Sequence, residues 1–208
     1  MFSIIQSAGW PIWFLILSSI VALALIIERS VSLRVDKIAP PKLLDEVLVL
    51  TKYGIPAKDV ILRLHGHSAL GEIFASGLRS LSQNPHCTEE EIRANMENAG
   101  RLIAHRLERY LGALATIASA APLLGLFGTV VGMIEIFGSQ APTAGVSGNP
   151  AQLAHGISVA LYNTAFGLII AIPSLIFWRY FRARVDGYLL AMELAADRLA
   201  RHLLLLRG

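Results

Sequence analysis

Two threonines, Thr129 and Thr164, are the residues whose type and spacing could support ion transfer in this chain of 208 residues. Each lies in a long apolar stretch, and a short polar stretch from Gly138 to His155 separates them. Thr129 lies nine residues before Gly138, and Thr164 lies eight residues after Gly156. In two antiparallel helices, both hydroxyls would therefore lie about 12–14 Å from the connecting turn. Repeated around an oligomer, hydroxyls at one depth would line a narrow water path.

The same threonines allow a second interpretation. Each hydroxyl can donate to the carbonyl of residue i−4 in its own helix, which is common in membrane helices. That arrangement needs no water path. Asn163 places a further polar group beside Thr164. From the residues alone, both interpretations stay open.

Glu135 is the single acidic residue between Glu108 and Asp186. An ionisable residue within a membrane helix indicates a functional site, which makes Glu135 a candidate proton carrier. Its position near the outer end of its apolar stretch also fits ionisation at the membrane surface. Glu135 lies six residues after Thr129, about 120° around a helix, so the two side chains need not share a face.

Other kinds of chemistry find no support in the sequence. It contains no Walker motif, no paired metal ligands and no nucleophile triad, so we expect no enzyme activity, no cofactor and no metal site. Cys87 is the single cysteine, which excludes an intramolecular disulfide. Outside the apolar stretches, acidic residues alternate with basic ones, so no nucleic-acid patch is predicted.

The distribution of positive charge predicts the membrane topology. All 18 Lys and Arg residues lie in 29–109 and 179–207, and none lies in 1–28 or 110–178. Basic residues near membrane helices stay on the cytoplasmic side. With 54% apolar and 16% charged residues, the chain also departs from soluble domains, which have roughly 45–50% and about 25%. The sequence therefore predicts an all-α membrane protein with both basic blocks in the cytoplasm.

Seven segments follow from this topology. Three are transmembrane helices, two are external, and two are cytoplasmic with long helical extensions. In chain order, they are an external N-terminus (1–9), the first span (10–27), a cytoplasmic helical domain (28–109), the second span (110–137), an external loop (138–155), the third span (156–178) and a cytoplasmic C-terminal helix (179–208).

Capping residues predict where the longest helix begins. Thr88 and Glu91 have the spacing of a capping box, in which each side chain accepts a hydrogen bond from the other residue's backbone. No helix breaker follows before the second span. The sequence therefore predicts one helix from Thr88 to about Phe137, roughly 75 Å long.

Small residues dominate the second and third spans, which predicts close helix packing in lipid. The predicted packing glycines are Gly125, Gly128, Gly132 and Gly167. Two prolines lie inside these spans, and we expect Pro122 and Pro173 to kink their helices.

Residues 124–133 (LGLFGTVVGM), 156–168 (GISVALYNTAFGL) and 171–173 (AIP) resemble the MotA/TolQ/ExbB proton channel family. The start of the chain, AGWPIWFLILSSIVALALIIER, is most similar to the ExbB branch. The resemblance covers the whole chain. MotA-type members usually have four spans, and the three spans predicted here disfavour that branch.

The resemblance implies a homo-oligomer, a pentamer, around single-span subunits of ExbD or TolR type that carry the protonatable Asp. It places the chain in the bacterial inner membrane, with segments 1–9 and 138–155 in the periplasm. Proton flow would then energise outer-membrane import through a TonB-like protein, with membrane lipid around the complex. Thr129 and Thr164 match the pore-facing threonines of the family.

Val159 departs from the family pattern, which usually has Glu at this position. Either that glutamate is dispensable, or Glu135 replaces it, or the Asp of the partner supplies all the carboxylate chemistry. The predicted pore-lining residues are Thr129, Ser158, Val159, Asn163 and Thr164.

The expected function is that of a proton-channel and stator subunit of an ExbB–ExbD-type motor. A TolQ-like subunit for envelope integrity and a non-conducting scaffold for a partner protein remain alternatives. We expect the second and third spans to surround the axis, with the bulky, apolar first span outside. A mostly apolar cavity would need a partner helix or lipid to fill it, and its candidate lining is Leu123, Leu126, Val130, Ile157 and Leu161.

Overall fold

The computed structural model describes residues 10–52, 54–139 and 150–205. Every regular element in these ranges is a helix, as predicted. The helices are α1 (Ile12–Ser32), α2 (Val35–Ile38), α3 (Leu43–Thr51), α4 (Lys58–His67), α5 (Ala69–Gln83), α6 (Glu89–Glu108), α7 (Leu111–Ser139) and α8 (Pro150–Leu205). The predicted N-terminal segment 1–9 and residues 140–149 of the predicted loop lie outside the described residues.

Three helical stretches among the described residues are long and apolar enough to cross a membrane. They are Ile12–Ser32, Glu89–Gly138 and Gly156–Leu204. The expectation of an all-α membrane protein with three membrane helices is therefore confirmed. The first stretch, of 21 residues, matches the roughly 20 residues that cross the hydrocarbon layer. The other two, of 50 and 49 residues, are much longer and leave helical turns outside this layer.

The predicted continuous helix from Thr88 is interrupted once. The structure has α6 ending at Glu108 and α7 beginning at Leu111. Arg109 keeps helical backbone angles (φ −45°, ψ −40°). At this residue the backbone therefore stays helical, and the interruption lies in the pattern of backbone hydrogen bonds. The predicted capping box is confirmed: Thr88 Oγ1 accepts from the Glu91 amide at 3.2 Å, and Glu91 Oε2 accepts from the Thr88 amide at 2.9 Å.

The chain forms two compact units, and each combines separate stretches of sequence. Residues 1–28 and 110–180 form one, called here the membrane unit. Residues 29–109 and 181–208 form the other, called here the extramembrane unit. In the sequence, the two stretches of the extramembrane unit precede and follow the α7–α8 hairpin.

Small side chains fill the centre of the membrane unit. Leu15 of α1 packs with Ala121 of α7 and Ala171 of α8, and all three are buried. Just before the start of α1, the rings of Trp10 and Phe127 meet edge to face with centroids 5.9 Å apart. The first span therefore packs against both helices of the hairpin within one protomer.

Large apolar side chains fill the centre of the extramembrane unit. Helix α4 packs on α5, and α5 packs on α6. Phe74 and Leu78 of α5 are buried, as are Ile92 and Met96 of α6. At the edge of this contact, Arg106 pairs with Glu72 at 3.0 Å.

Polar contacts join the end of α1 to the rest of the extramembrane unit. Arg29 is only 4% exposed, and its guanidinium donates to the Leu107 carbonyl at 2.9 Å. The Tyr188 hydroxyl donates to the Leu33 carbonyl at 3.1 Å, and Arg184 donates to the same hydroxyl at 2.5 Å. A buried cation is tolerated only where hydrogen bonds replace water. These bonds therefore hold residues 29–33 to α6 and α8.

Candidate functional site

Helices α7 and α8 form an antiparallel hairpin, which is visible in the neighbours of their glycines. A Cβ atom added at Gly156 would lie 2.5 Å from Ile136, and one at Gly132 would lie 3.3 Å from the Ala160 Cβ. A Cβ at Gly128 would lie 2.8 Å from the Asn163 side-chain nitrogen. Residues with lower numbers in α7 therefore contact residues with higher numbers in α8, as in an antiparallel pair.

Two glycines let the backbones of these helices touch. A Cβ at Gly125 would lie 2.7 Å from the Asn163 carbonyl oxygen, and one at Gly167 would lie 2.6 Å from the Ala121 carbonyl oxygen. Both distances are shorter than any real Cβ contact, and backbone atoms cannot rotate away as a side chain can. The predicted packing glycines Gly125, Gly128, Gly132 and Gly167 therefore all face the partner helix of the hairpin.

Thr129 and Thr164 lie at nearly the same level of the hairpin. Asn163 lies opposite Gly128, so the two threonines are offset by about two residues, or roughly 3 Å along the helix axis. Both side chains are half-buried within the protomer. This register gives them similar depth, as the loop spacing predicts.

The two threonine hydroxyls differ in their hydrogen bonds. Thr129 Oγ1 donates to the Leu126 carbonyl at 2.6 Å, in the preceding turn of its own helix. The Thr164 hydroxyl forms no hydrogen bond with the part of the chain that the structure describes. The donor of Thr129 is thus used within α7, whereas the donor of Thr164 has no acceptor among the described residues.

Asn163 takes a different position from the threonines. It is 1% exposed and packs against Gly125 and Gly128 of the facing helix. The residue lies inside the hairpin of one protomer, and its burial argues against a place on a pore surface. The sequence offered one signal for this position, because Gly128 leaves room for a large group on the opposite helix.

The remaining predicted site residues lie at various positions on the hairpin. Ser158 is exposed, and its hydroxyl donates to the Ala154 carbonyl at 2.9 Å. Glu135 is exposed on α7. Val159 belongs to α8, and its side chain lies outside the described residues. Pro122 and Pro173 lie inside α7 and α8 respectively.

An apolar surface surrounds Thr129. A shallow depression on α7 is lined by Thr129, Val130, Met133, Ile134, Phe137 and Gly138. The residues expected to line a cavity are largely exposed in the protomer: Leu123 is 66% exposed, Leu126 55%, Val130 49% and Leu161 60%. Ile157 is half-buried. Lipid, another protomer or a partner helix must therefore cover this surface.

The burial of Ser174 and of the Arg29 cation was not predicted from the sequence. Ser174 is 1% exposed, and its hydroxyl donates to the Ile170 carbonyl at 2.7 Å. Its position among the small residues of the third span was a usable signal. For Arg29, the sequence shows only a charge at the end of an apolar helix.

Comparisons with known proteins match the sequence of this chain to one family. The model of the MotA/TolQ/ExbB proton channel family matches residues 65–194. ExbB-like 3 of Synechocystis sp. is 31% identical over 165 residues, which cover 79% of this chain and 77% of that protein. The biopolymer transport protein ExbB of Salmonella typhimurium is 29% identical over 183 residues, or 84% of this chain and 72% of that protein. The Tol-Pal system protein TolQ of Pseudomonas aeruginosa is 35% identical over 126 residues, or 57% of this chain and 54% of that protein.

Proposed function

The chain belongs to the MotA/TolQ/ExbB proton channel family, and from this membership we propose that it is the larger subunit of an ExbB-type motor. The motor would sit in the bacterial inner membrane and use the proton motive force to energise TonB-dependent outer-membrane import, such as iron–siderophore uptake. The chain would form a homo-oligomer, a pentamer, around a single-span subunit of ExbD or TolR type.

The level of Thr129 and Thr164 on the hairpin is the observation that carries this proposal. Two hydroxyls within roughly 3 Å of the same depth form a polar band in an otherwise apolar wall. In an oligomer this band would be repeated around the axis. It would hydrate one level of a path that is dry elsewhere, since apolar constrictions expel water and block ions.

The two threonines would serve this path differently. Thr164 has an available donor and would hydrogen-bond to water or to the carboxylate of the partner helix. Thr129 donates to Leu126 and would offer its oxygen as an acceptor. With Val159 at the position of the usual family glutamate, the titrating carboxylate would come from the partner. Glu135 would act at the membrane surface.

The glycine contacts would keep this band in place. Gly125 lies against the Cα of Thr164, where an added Cβ would be 3.0 Å away. The close approach fixes the position of Thr164 relative to α7. Asn163 would support the path indirectly, as a buried spacer between the two helices of one protomer.

Proton uptake by vesicles tests this proposal. The chain and its single-span partner would be co-reconstituted, and a pH-sensitive dye would follow proton entry under an imposed gradient. We expect Thr164→Val to form normal oligomers with strongly reduced flux, and Thr129→Val to reduce flux less. A buried hydrogen bond contributes about 1 kcal/mol, so assembly should survive either change.

Thr116→Val is the matched control, because the Thr116 hydroxyl donates to the Gly112 carbonyl in the same helix, more than three turns from Thr129. It should leave flux unchanged. Full flux in both Thr129→Val and Thr164→Val would show that these hydroxyls only pack. Absence of flux in the wild-type complex would favour the non-conducting scaffold.

A TolQ-like role in envelope integrity is a second candidate, favoured by the 35% identity to a TolQ protein. Complementation separates the two roles. Restored siderophore uptake in a strain without ExbB supports the import motor. Restored detergent resistance in a strain without TolQ supports the envelope role.

A further inference from the structure

The extramembrane part of α8 has an apolar stripe on the face that the protomer leaves uncovered. The opposite face is buried through Phe181, Val185 and Met192. On the uncovered face, Leu190 is 59% exposed and Leu194 is 56% exposed. Ala183 and Gly187 continue the same line toward the membrane and are also exposed. These four residues, called here the α8 stripe, form a continuous surface.

The spacing of the α8 stripe is that of a helix that packs along another helix. Steps of four, three and four residues separate Ala183, Gly187, Leu190 and Leu194. Over these four residues the spacing matches a and d positions of a heptad, with Gly187 and Leu194 at a and with Ala183 and Leu190 at d. The next d and a positions are Asp197 and Arg201, so the apolar pattern ends at Leu194. In the membrane-spanning part of α8, lipid explains an exposed apolar face. Beyond the membrane, such a face indicates a surface that a protein partner could cover.

Charges of opposite sign border the stripe. Around the helix, Glu193 lies about 60° to one side of Leu190 and Arg198 about 80° to the other. Both are exposed, and neither forms an ion pair within the described residues. In heptad terms, Glu193 is a g position, and Arg198 is the e position of the next heptad. These are the positions that pair between parallel helices.

A groove lies beside the acidic border of the stripe, between α6 and α8. Its volume is about 470 Å³. Its apolar floor includes Ile73, Met96, Gly100, Met192 and Ala196. Glu193 and Asp197 lie along the α8 side, where Asp197 already pairs with Arg93 at 2.5 Å. The small residues of the floor leave room for a side chain as large as leucine.

From these features, we propose that the groove and the α8 stripe are the two halves of an interface between neighbouring copies of this chain. Leu194 of one copy would enter the groove of the next copy, and its Arg198 would pair with the Glu193 of that next copy. This proposal rests on the homo-oligomer of the proposed function and identifies an extramembrane contact that holds it together.

The orientation of membrane proteins favours a second copy as the occupant. Copies inserted in the same direction have parallel helices, related by rotation about the membrane normal. In such rings, one face of each subunit meets a different face of its neighbour. An acidic border and a basic border on opposite sides of one stripe are complementary in this arrangement. A two-fold pairing of antiparallel copies would not place Glu193 against Arg198 in this way.

Disulfide cross-linking tests the contact in membranes that contain the full chain and its partner. In a Cys87→Ser background, Glu193→Cys together with Arg198→Cys should form a ladder of covalent species up to the full oligomer. Either cysteine alone should not form a ladder. The control is Lys58→Cys with Arg63→Cys, which has the same spacing on an exposed part of α4 and should stay monomeric.

Charge exchange provides a second measurement. Glu193→Arg and Arg198→Glu should each lower the assembly constant about two- to fivefold, as expected for an exposed ion pair. The combined exchange should restore it. An intact oligomer without a cross-link would overturn this contact and leave the proposed function standing. A cross-link limited to dimers, or one to a different protein, would also overturn it.

Discussion

The α7–α8 contact and the α5–α6 contact join helices by opposite means. In the membrane unit, glycines bring backbone against backbone, as at Gly125 and Gly167. In the extramembrane unit, large side chains such as Phe74 and Met96 fill the space between helices. In lipid, burying an apolar group gains little, so close approach drives packing. In water, removal of apolar surface drives packing. One contact is therefore broken by adding atoms and the other by removing them.

Phe74→Ala should have the largest effect on stability. The side chain is fully buried in α5, and its removal leaves a cavity in the extramembrane unit. We expect a loss of about 3–5 kcal/mol in the free energy of unfolding. Denaturant titration in detergent, followed by circular dichroism, would measure it. A loss below about 1 kcal/mol would mean that side-chain packing does not hold this unit.

Gly167→Ala should have the next largest effect, although it adds only one methyl group. The new Cβ would lie 2.6 Å from the Ala121 carbonyl, so the helices must separate. Overpacking costs about 1–3 kcal/mol, more than the roughly 1 kcal/mol that alanine gains over glycine in a helix. Oligomer recovery after detergent extraction would fall. Unchanged recovery would contradict backbone contact as the basis of the hairpin.

Gly77→Ala is the matched substitution in the extramembrane unit and should have a much smaller effect. Its Cβ would lie 2.7 Å from the Met96 sulfur. The flexible methionine can move, and the gain in helix propensity offsets the displacement. We expect a net change within about 1 kcal/mol in the same denaturant titration. A loss as large as that of Gly167→Ala would remove the distinction between the two contacts.

Ser174→Ala should have the smallest effect. The hydroxyl is buried, yet it donates to the Ile170 carbonyl of its own helix, so its loss leaves the hairpin contact intact. Hydrogen bonds within membrane proteins average about 0.6 kcal/mol. We expect a shift no larger than this in oligomer stability. A loss comparable to that of Gly167→Ala would show that polar bonds, rather than close approach, dominate in the membrane unit.

The number of membrane helices and the register of the hairpin could be predicted from the sequence because each has a local signal. Absence of Lys and Arg marked the membrane stretches, and the boundaries of a short loop placed Thr129 and Thr164 at similar depth. The capping box at Thr88 could be predicted because all its hydrogen bonds lie within one helical turn. Each signal depends on neighbouring residues only.

The burial of Asn163 and Arg29 could not be predicted in the same way. Asn163 is polar and next to Thr164, but about 100° of helix rotation separates neighbouring residues. Only the position of Gly128 on the facing helix decides which of them points inward. Arg29 donates to a carbonyl 78 residues away, and no pattern near position 29 identifies that acceptor.

The construction of the extramembrane unit from two stretches has a consequence for biogenesis. Its second stretch, 181–208, leaves the ribosome after all the residues of α7. Contacts such as Arg93–Asp197 join residues 104 positions apart, and Tyr188–Leu33 joins residues 155 apart. During translation, the side of α6 that packs against α8 therefore stays uncovered until the last helix has been made. Incomplete chains expose such surfaces to chaperones and proteases.

Closure of this unit also requires that the hairpin has inserted with both ends on one side. A chain with one helix of the hairpin left out of the membrane would hold 29–109 and 181–208 on opposite sides of the bilayer. Its α6 surface would remain open, and quality-control proteases would recognise it. The fold thus links survival of the newly made chain to correct insertion, before any partner subunit arrives.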